Sequence, residues 1–112
     1  IVTFPATHPK WSYAKLGEDG YVAEVAEKKP ISEHATVGIY YWKKGSDYVK
    51  YAEQMIDKDI RVNNEFYVCP VFNEAIQDGK KIRIKEIEKS GMWGIGTPED
   101  LNYFLEHYDG EV

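Results

Sequence analysis

Glu27-Lys28-Lys29-Pro30 places a carboxylate and an ammonium side by side just ahead of a proline. Soon after, Ala35-Thr36-Val37-Gly38-Ile39-Tyr40-Tyr41 is apolar on both faces, the pattern of a strand covered on both sides. A carboxylate at a strand end can accept hydrogen bonds from sugar hydroxyls, and an ammonium beside it can hold a phosphate as a point charge. Open α/β sheets gather their ligands just outside strand ends. The same two residues on an open surface would form an ion pair of little energetic worth, and spacing alone does not separate these readings.

Further segments carry polar or glycine chemistry. In Thr36-Val37-Gly38 a strand glycine admits either a ligand or a tightly packed helix. Asn63-Asn64-Glu65 puts a carboxylate next to residues that favour turns and caps, so Glu65 either faces a ligand or follows a turn. Gly94-Ile95-Gly96-Thr97-Pro98-Glu99-Asp100-Leu101 reads as a glycine turn entering a helix, with Thr97 as cap and Pro98 in the first position. Such a start can cradle a phosphate, but it has neither the lysine of a P-loop nor the dinucleotide fingerprint. Cys69 is the only cysteine and lies in an apolar stretch, which reads as a packed thiol rather than a nucleophile. His8, His34 and His107 have none of the local spacings of a zinc site.

The elements that must position these residues follow from period and punctuation. Strands are expected at Ile1 to Pro5, Trp11 to Leu16 and Tyr21 to Ala26, the last two joined as a hairpin through Gly17-Glu18-Asp19-Gly20 near a sheet edge. In the third strand Tyr21, Ala23 and Val25 should share one face and Val22, Glu24 and Ala26 the other. Thr36 to Trp42 is the expected central strand. Ser46 should cap a helix with Asp47 in its first turn and Tyr48, Val49, Ala52, Met55 and Ile56 on its apolar stripe. A second helix should begin at Cys69 or Pro70 and end at Gly79. Lys81 to Ile87 alternates as a strand, and a helix beginning after Thr97 should carry Leu101, Phe104, Leu105 and Tyr108 and close at Gly110.

The order is that of a mixed α/β sheet with helices packed on it. The 112 residues fit a single domain, and 43% apolar with 29% charged residues is a globular composition. A net charge of −5 argues against a phosphate-binding nucleic-acid footprint, and no apolar run reaches the length that crosses a bilayer. The chain opens on a strand-like run without an initiator Met, which reads as a cut within a domain.

Taken in order, Glu27-Lys28-Lys29-Pro30, Ala35 through Tyr40, Asn64-Glu65-Phe66-Tyr67 through Phe72-Asn73, and Gly96 through Leu101 carry a resemblance. From about Trp11 to Leu105 the chain resembles sugar-1-phosphate nucleotidyltransferases of the glucose-1-phosphate thymidylyltransferase type, as found in bacterial capsule and lipopolysaccharide synthesis. The resemblance implies a partial Rossmann-like sheet of the GT-A type: residues 1–112 would be the C-terminal sugar-binding portion of a cytoplasmic nucleotidyltransferase domain, partnered by a nucleotide-binding N-terminal half. In such enzymes a sugar phosphate attacks the α-phosphorus of a nucleoside triphosphate, magnesium bridges the phosphates and pyrophosphate leaves. By the same pattern Glu27 would bind sugar hydroxyls, Lys28 would hold the sugar phosphate and serve catalysis, Thr36 and Gly38 would line the sugar pocket through their backbone, and Glu65 would lie near the sugar. Many members carry a second metal-binding aspartate where this chain has Gly94, so Mg2+ is expected for the parent enzyme with no metal ligand from this chain. A half-sheet would also leave an unpaired edge, and self-association is expected to cover it.

Overall fold

The computed structural model describes residues 1–110. Its five strands are β1 (Val2–Pro5), β2 (Ser12–Leu16), β3 (Val22–Glu27), β4 (His34–Thr36) and β5 (Lys85–Glu86). They form one sheet in the order β3-β2-β4-β1-β5, antiparallel throughout except that β5 runs parallel to β1. Three helices accompany it: α1 (Gly45–Asp57), α2 (Val71–Gln77) and α3 (Pro98–His107).

The hairpin forms as its glycine loop dictates, and β3 lies at the sheet edge as expected. Its faces do not alternate as read. Leu16 pairs with Val22 while Lys15 pairs with Glu24, so Ala23 is an extra residue in the ladder. That bulge brings Val22 and Val25, three positions apart, into one core cluster with Ala14, Cys69 and Phe72. The open edge of β3 is closed by a side chain: Asn73 of α2 accepts from Val25 N–H and donates to Val25 O, both at 2.8 Å. Val22 N–H is also taken, by Ile82 O at 2.8 Å, so the β3 edge is bonded at two points along its length.

β4 is central, but it runs over His34–Thr36, so only Thr36 of the strand expected from Thr36 to Trp42 belongs to it. Gly38 interrupts it with φ +92°, a conformation only glycine adopts without strain. Beyond it Val2 N–H donates to Ile39 O, while Val37 N–H donates to Val2 O, so Gly38 bulges out of the ladder. Ile39 and Tyr41 are consequently exposed, not buried. Trp42 turns inward and stacks on Phe72 with centroids 4.4 Å apart.

α2 begins at Val71, directly after Pro70, where the missing N–H costs nothing. It rests on β3 and carries α1 on its other side, burying Tyr51 and Met55 against Val71 and Ala75. α1 starts at Gly45 after Lys44, so Ser46 lies within its first turn and makes no cap. Its stripe is Tyr48, Tyr51, Ala52 and Met55; Val49 and Ile56 are about half exposed. Buried Glu74 meets Lys58 Nζ at 2.6 Å and ties the end of α1 to α2. The expected strand at Lys81 to Ile87 shrinks to Lys85–Glu86, although Ile82 and Ile84 still pack on the core. α3 is capped as read, with Asp100 N–H donating to Thr97 Oγ1 at 3.1 Å. It buries no residue fully, leaves Leu101 and Leu105 exposed, and ends at His107 with Tyr108 as its cap, before Gly110.

Candidate functional site

The β-sheet register sets the site. Ser12 on β2 faces Glu27 on β3. Tyr13 pairs with Ala35, so Ser12 and Thr36 are neighbours one step along, and their hydroxyls are bonded. Thr36 in turn pairs with Thr3 on β1. A polar row, Glu27–Ser12–Thr36–Thr3, therefore crosses four strands at one end of the face that α2 covers. α2 and the turn before it reach only part of the row. What remains is a cavity of about 300 Å³ lined by Ser12, Glu27, Thr36, Gly38, Tyr40, Tyr67 and Cys69 among others.

Three of the residues singled out in the sequence, Glu27, Thr36 and Gly38, line this one cavity. Gly38 is not there for close packing, since no atom lies within 4 Å of where a Cβ would stand. Thr36 is buried and brings its hydroxyl as well as its backbone. Lys28 stands at the rim. Its N–H continues the β2–β3 ladder by donating to Trp11 O at 3.0 Å, and its left-handed φ of +58° turns the chain out of the sheet. Its Nζ lies 5.2 Å from the ring centroid of Tyr67, itself part of the cavity wall. Glu65 is exposed and does not line the cavity. It follows a tight two-residue turn at Asn63 and Asn64 (φ +50° and +64°), closed by reciprocal bonds between Val62 and Glu65.

The charges follow the geometry. Burial holds the Glu27 carboxyl above its ordinary range, and neighbouring Lys28 pulls it part of the way back. Contact with Tyr67, above all, raises Lys28, with Glu27 and Glu65 adding to it. Burial pushes Tyr40 up to about 12 and Cys69 up to about 11, so the cavity floor is uncharged at neutral pH. Cys69 is thus a protonated, packed thiol. Tyr40 Oη bonds Thr36 Oγ1 at 2.9 Å and Ser12 Oγ at 3.2 Å.

No group of three or more His, Cys, Asp or Glu side chains that could hold a metal occurs among the described residues. A Cβ on Gly94 would stand 3.0 Å from Trp11 Cη2, so the indole occupies the space a longer side chain would need. Gly94 thus offers no carboxylate where the resemblance places a metal-binding aspartate. A larger cleft of about 840 Å³ lies beyond Trp11, walled by Phe4, Trp11, Met92, Trp93 and Tyr103. Lys10, which borders both this cleft and the smaller cavity, is bonded to both carboxylate oxygens of Asp100 at 3.1 and 3.3 Å.

No family model and no curated protein matches the sequence. Among solved structures, the nucleoside-diphosphate-sugar pyrophosphorylase from Vibrio cholerae RC9 is similar to 95% of this chain, with a TM-score of 0.86 and 27% identity. The fold is nucleotidyltransferase-like. The chain spans 45% of the length of that neighbour. Within this nucleotidyltransferase-like fold the sequence reading missed Ser12, Tyr40, Tyr67 and the location of Cys69 beside Ser12 and Tyr40. Ser12 was within reach: a hairpin closed at Gly17 to Gly20 sets it across from Glu27. Tyr40 was hidden because it reads as one more apolar strand residue.

Proposed function

We propose that this chain supplies the sugar-phosphate pocket of a nucleotidyltransferase that joins a hexose 1-phosphate to a nucleoside triphosphate. One observation carries the reading: a carboxylate, a hydroxyl floor and a conformationally free glycine converge on a cavity sized for a single sugar ring, with an ammonium at its rim. The similarity to a nucleoside-diphosphate-sugar pyrophosphorylase supports the same reading. Glu27 accepts from ring hydroxyls, Thr36 and Gly38 shape the wall, and Lys28 neutralises the phosphate and holds its oxygen towards the nucleotide. Such catalysis is mostly positioning and charge neutralisation. Glu65 acts at a distance, through its field on Lys28. The Rossmann-like GT-A sheet, the cytoplasmic location and the service of capsule or lipopolysaccharide synthesis belong to this proposal. Nucleotide binding is assigned to a further portion of the domain, and no step is routed through magnesium on this chain.

A second reading, a sugar-phosphate-binding module without turnover, draws on Gly94, which offers no metal donor. Calorimetry with glucose 1-phosphate tests the pocket itself. Glu27→Gln and Lys28→Ala should each weaken binding at least about tenfold, the scale of a lost charge-assisted hydrogen bond. Unchanged affinity in both variants would remove the pocket from the account.

A further inference from the structure

The cavity floor contains a closed ring. Ser12 Oγ is bonded to Thr36 Oγ1, Thr36 Oγ1 to Tyr40 Oη, and Tyr40 Oη to Ser12 Oγ. Each hydroxyl owns one proton and can accept with its lone pairs. A ring of three bonds among three hydroxyls therefore consumes all three protons internally. Thr3, next in the row, has a buried hydroxyl without a partner, but it is not part of the cavity lining, so its proton does not face the ligand. The Cys69 sulfur lies against Ser12 and Tyr40, whose hydrogen bonds act to lower the thiol, so it is a further acceptor for their protons and not a source of one for the ligand. The wall above is Glu27, a carboxylate that only accepts when ionised. The donors of the lining lie off the floor and are engaged elsewhere, Lys10 by both carboxylate oxygens of Asp100 and Tyr67 by Lys28.

We infer that Ser12, Thr36 and Tyr40 form a specificity filter that accepts hydrogen bonds and donates none, so the pocket selects sugars whose inner face carries hydroxyl or amino donors and rejects sugars that carry a carboxylate there. A uronic acid would set its carboxylate against lone pairs and the Glu27 carboxylate, with no donor on the floor to satisfy it. Buried anions without a donor are strongly disfavoured. A neutral hexose gives its protons to the ring, and an amino sugar adds a favourable charge towards Glu27. The inference rests on the sugar-phosphate reading of this cavity and names the substrate class it takes.

Breaking the ring releases a proton. In Tyr40→Phe one bond remains between Ser12 and Thr36, which uses one hydroxyl proton and frees the other to point at the ligand. Ser12→Ala has the same arithmetic, with Thr36 and Tyr40 sharing one bond. Either variant should therefore relax the rejection of acid sugars while weakening neutral ones only modestly.

The experiment is calorimetry with glucose 1-phosphate, glucosamine 1-phosphate and glucuronic acid 1-phosphate, on the parent chain, Tyr40→Phe and Ser12→Ala, with circular dichroism reporting the fold of each. The parent should bind the first two at least about tenfold more tightly than the third, the scale of an unsatisfied charged group. That ratio should shrink several-fold in whichever variants keep the fold. Equal binding of all three sugars by the parent, or an unchanged ratio in the folded variants, overturns the filter alone. Failure of the parent to bind any of the three overturns the sugar pocket and the filter with it.

Discussion

Glu27 and Ser12 stand directly opposite each other in the β2–β3 ladder. That pairing turns a charged residue at a strand end into the wall of a polar cavity, because Ser12 leads on to Thr36 and Tyr40. One step further, the backbone bond from Lys28 to Trp11 O closes the ladder and sends the lysine to the rim. The two charges are therefore neighbours in sequence with separate environments, one half-buried and one exposed.

The half-buried carboxylate predicts a pH signature. Burial raises Glu27 above its ordinary value of 4.5, against the pull of Lys28. Between the unfolded and folded values the native chain holds more protons, so this group's contribution to stability falls as pH rises through that window. Glu27→Gln removes the ionisation. Urea midpoints measured across pH should show the variant gaining on the parent as pH rises above 4.5 and levelling off thereafter. A variant that loses ground over the same range contradicts the assignment.

Lys28 predicts a conflict between stability and binding. Its φ of +58° is a conformation that costs a non-glycine residue about 1–2 kcal/mol. Lys28→Gly relieves that cost, and Lys28→Ala does not. Thermal melts should place the glycine variant above the alanine variant, while both lose affinity for a sugar phosphate. The reverse order of melting would show that the backbone there is unstrained.

Asn73 predicts a change in solution state. Its two bonds to Val25 cover the middle of the outer edge strand. Asn73→Ala should cost about 1–3 kcal/mol in denaturant titrations, since it leaves the backbone groups of Val25 without their partners. It should also raise self-association by light scattering, because an uncovered edge pairs with another chain. A stable variant with unchanged association would mean that the edge is protected elsewhere.

Cys69 predicts an inert thiol. Its pKa, pushed up to about 11 chiefly by burial, keeps it protonated at pH 8. Reaction with an aromatic disulfide reagent should be slower than in the urea-unfolded chain by at least about tenfold. Comparable rates in the two states would place the thiol at an open surface.

Much of this arrangement is legible in the sequence, and the exceptions have physical causes. The capped start of α3, the glycine hairpin and the entry of α2 after Pro70 are local signals, set by a residue or two, and they appear in place. The long central strand does not, because a single left-handed glycine outweighs the β propensity of Ile39 through Trp42. The face of Val22 and Val25 is decided by a bulge, which pairing creates and periodicity cannot register. At the site, Glu27, Thr36 and Gly38 were visible as residue types near strand ends. The hydroxyl ring was not, because it joins Ser12 to residues 24 and 28 positions away.

The account turns on which cavity takes the sugar phosphate, and a structure of the chain soaked or co-crystallised with glucose 1-phosphate decides it. The ring should lie in the 300 Å³ cavity, within hydrogen-bond distance of Glu27 and the Ser12–Thr36–Tyr40 floor, with the phosphate beside Lys28. Sugar density in the larger cleft beyond Trp11, with the cavity at Glu27 holding only water, would contradict it.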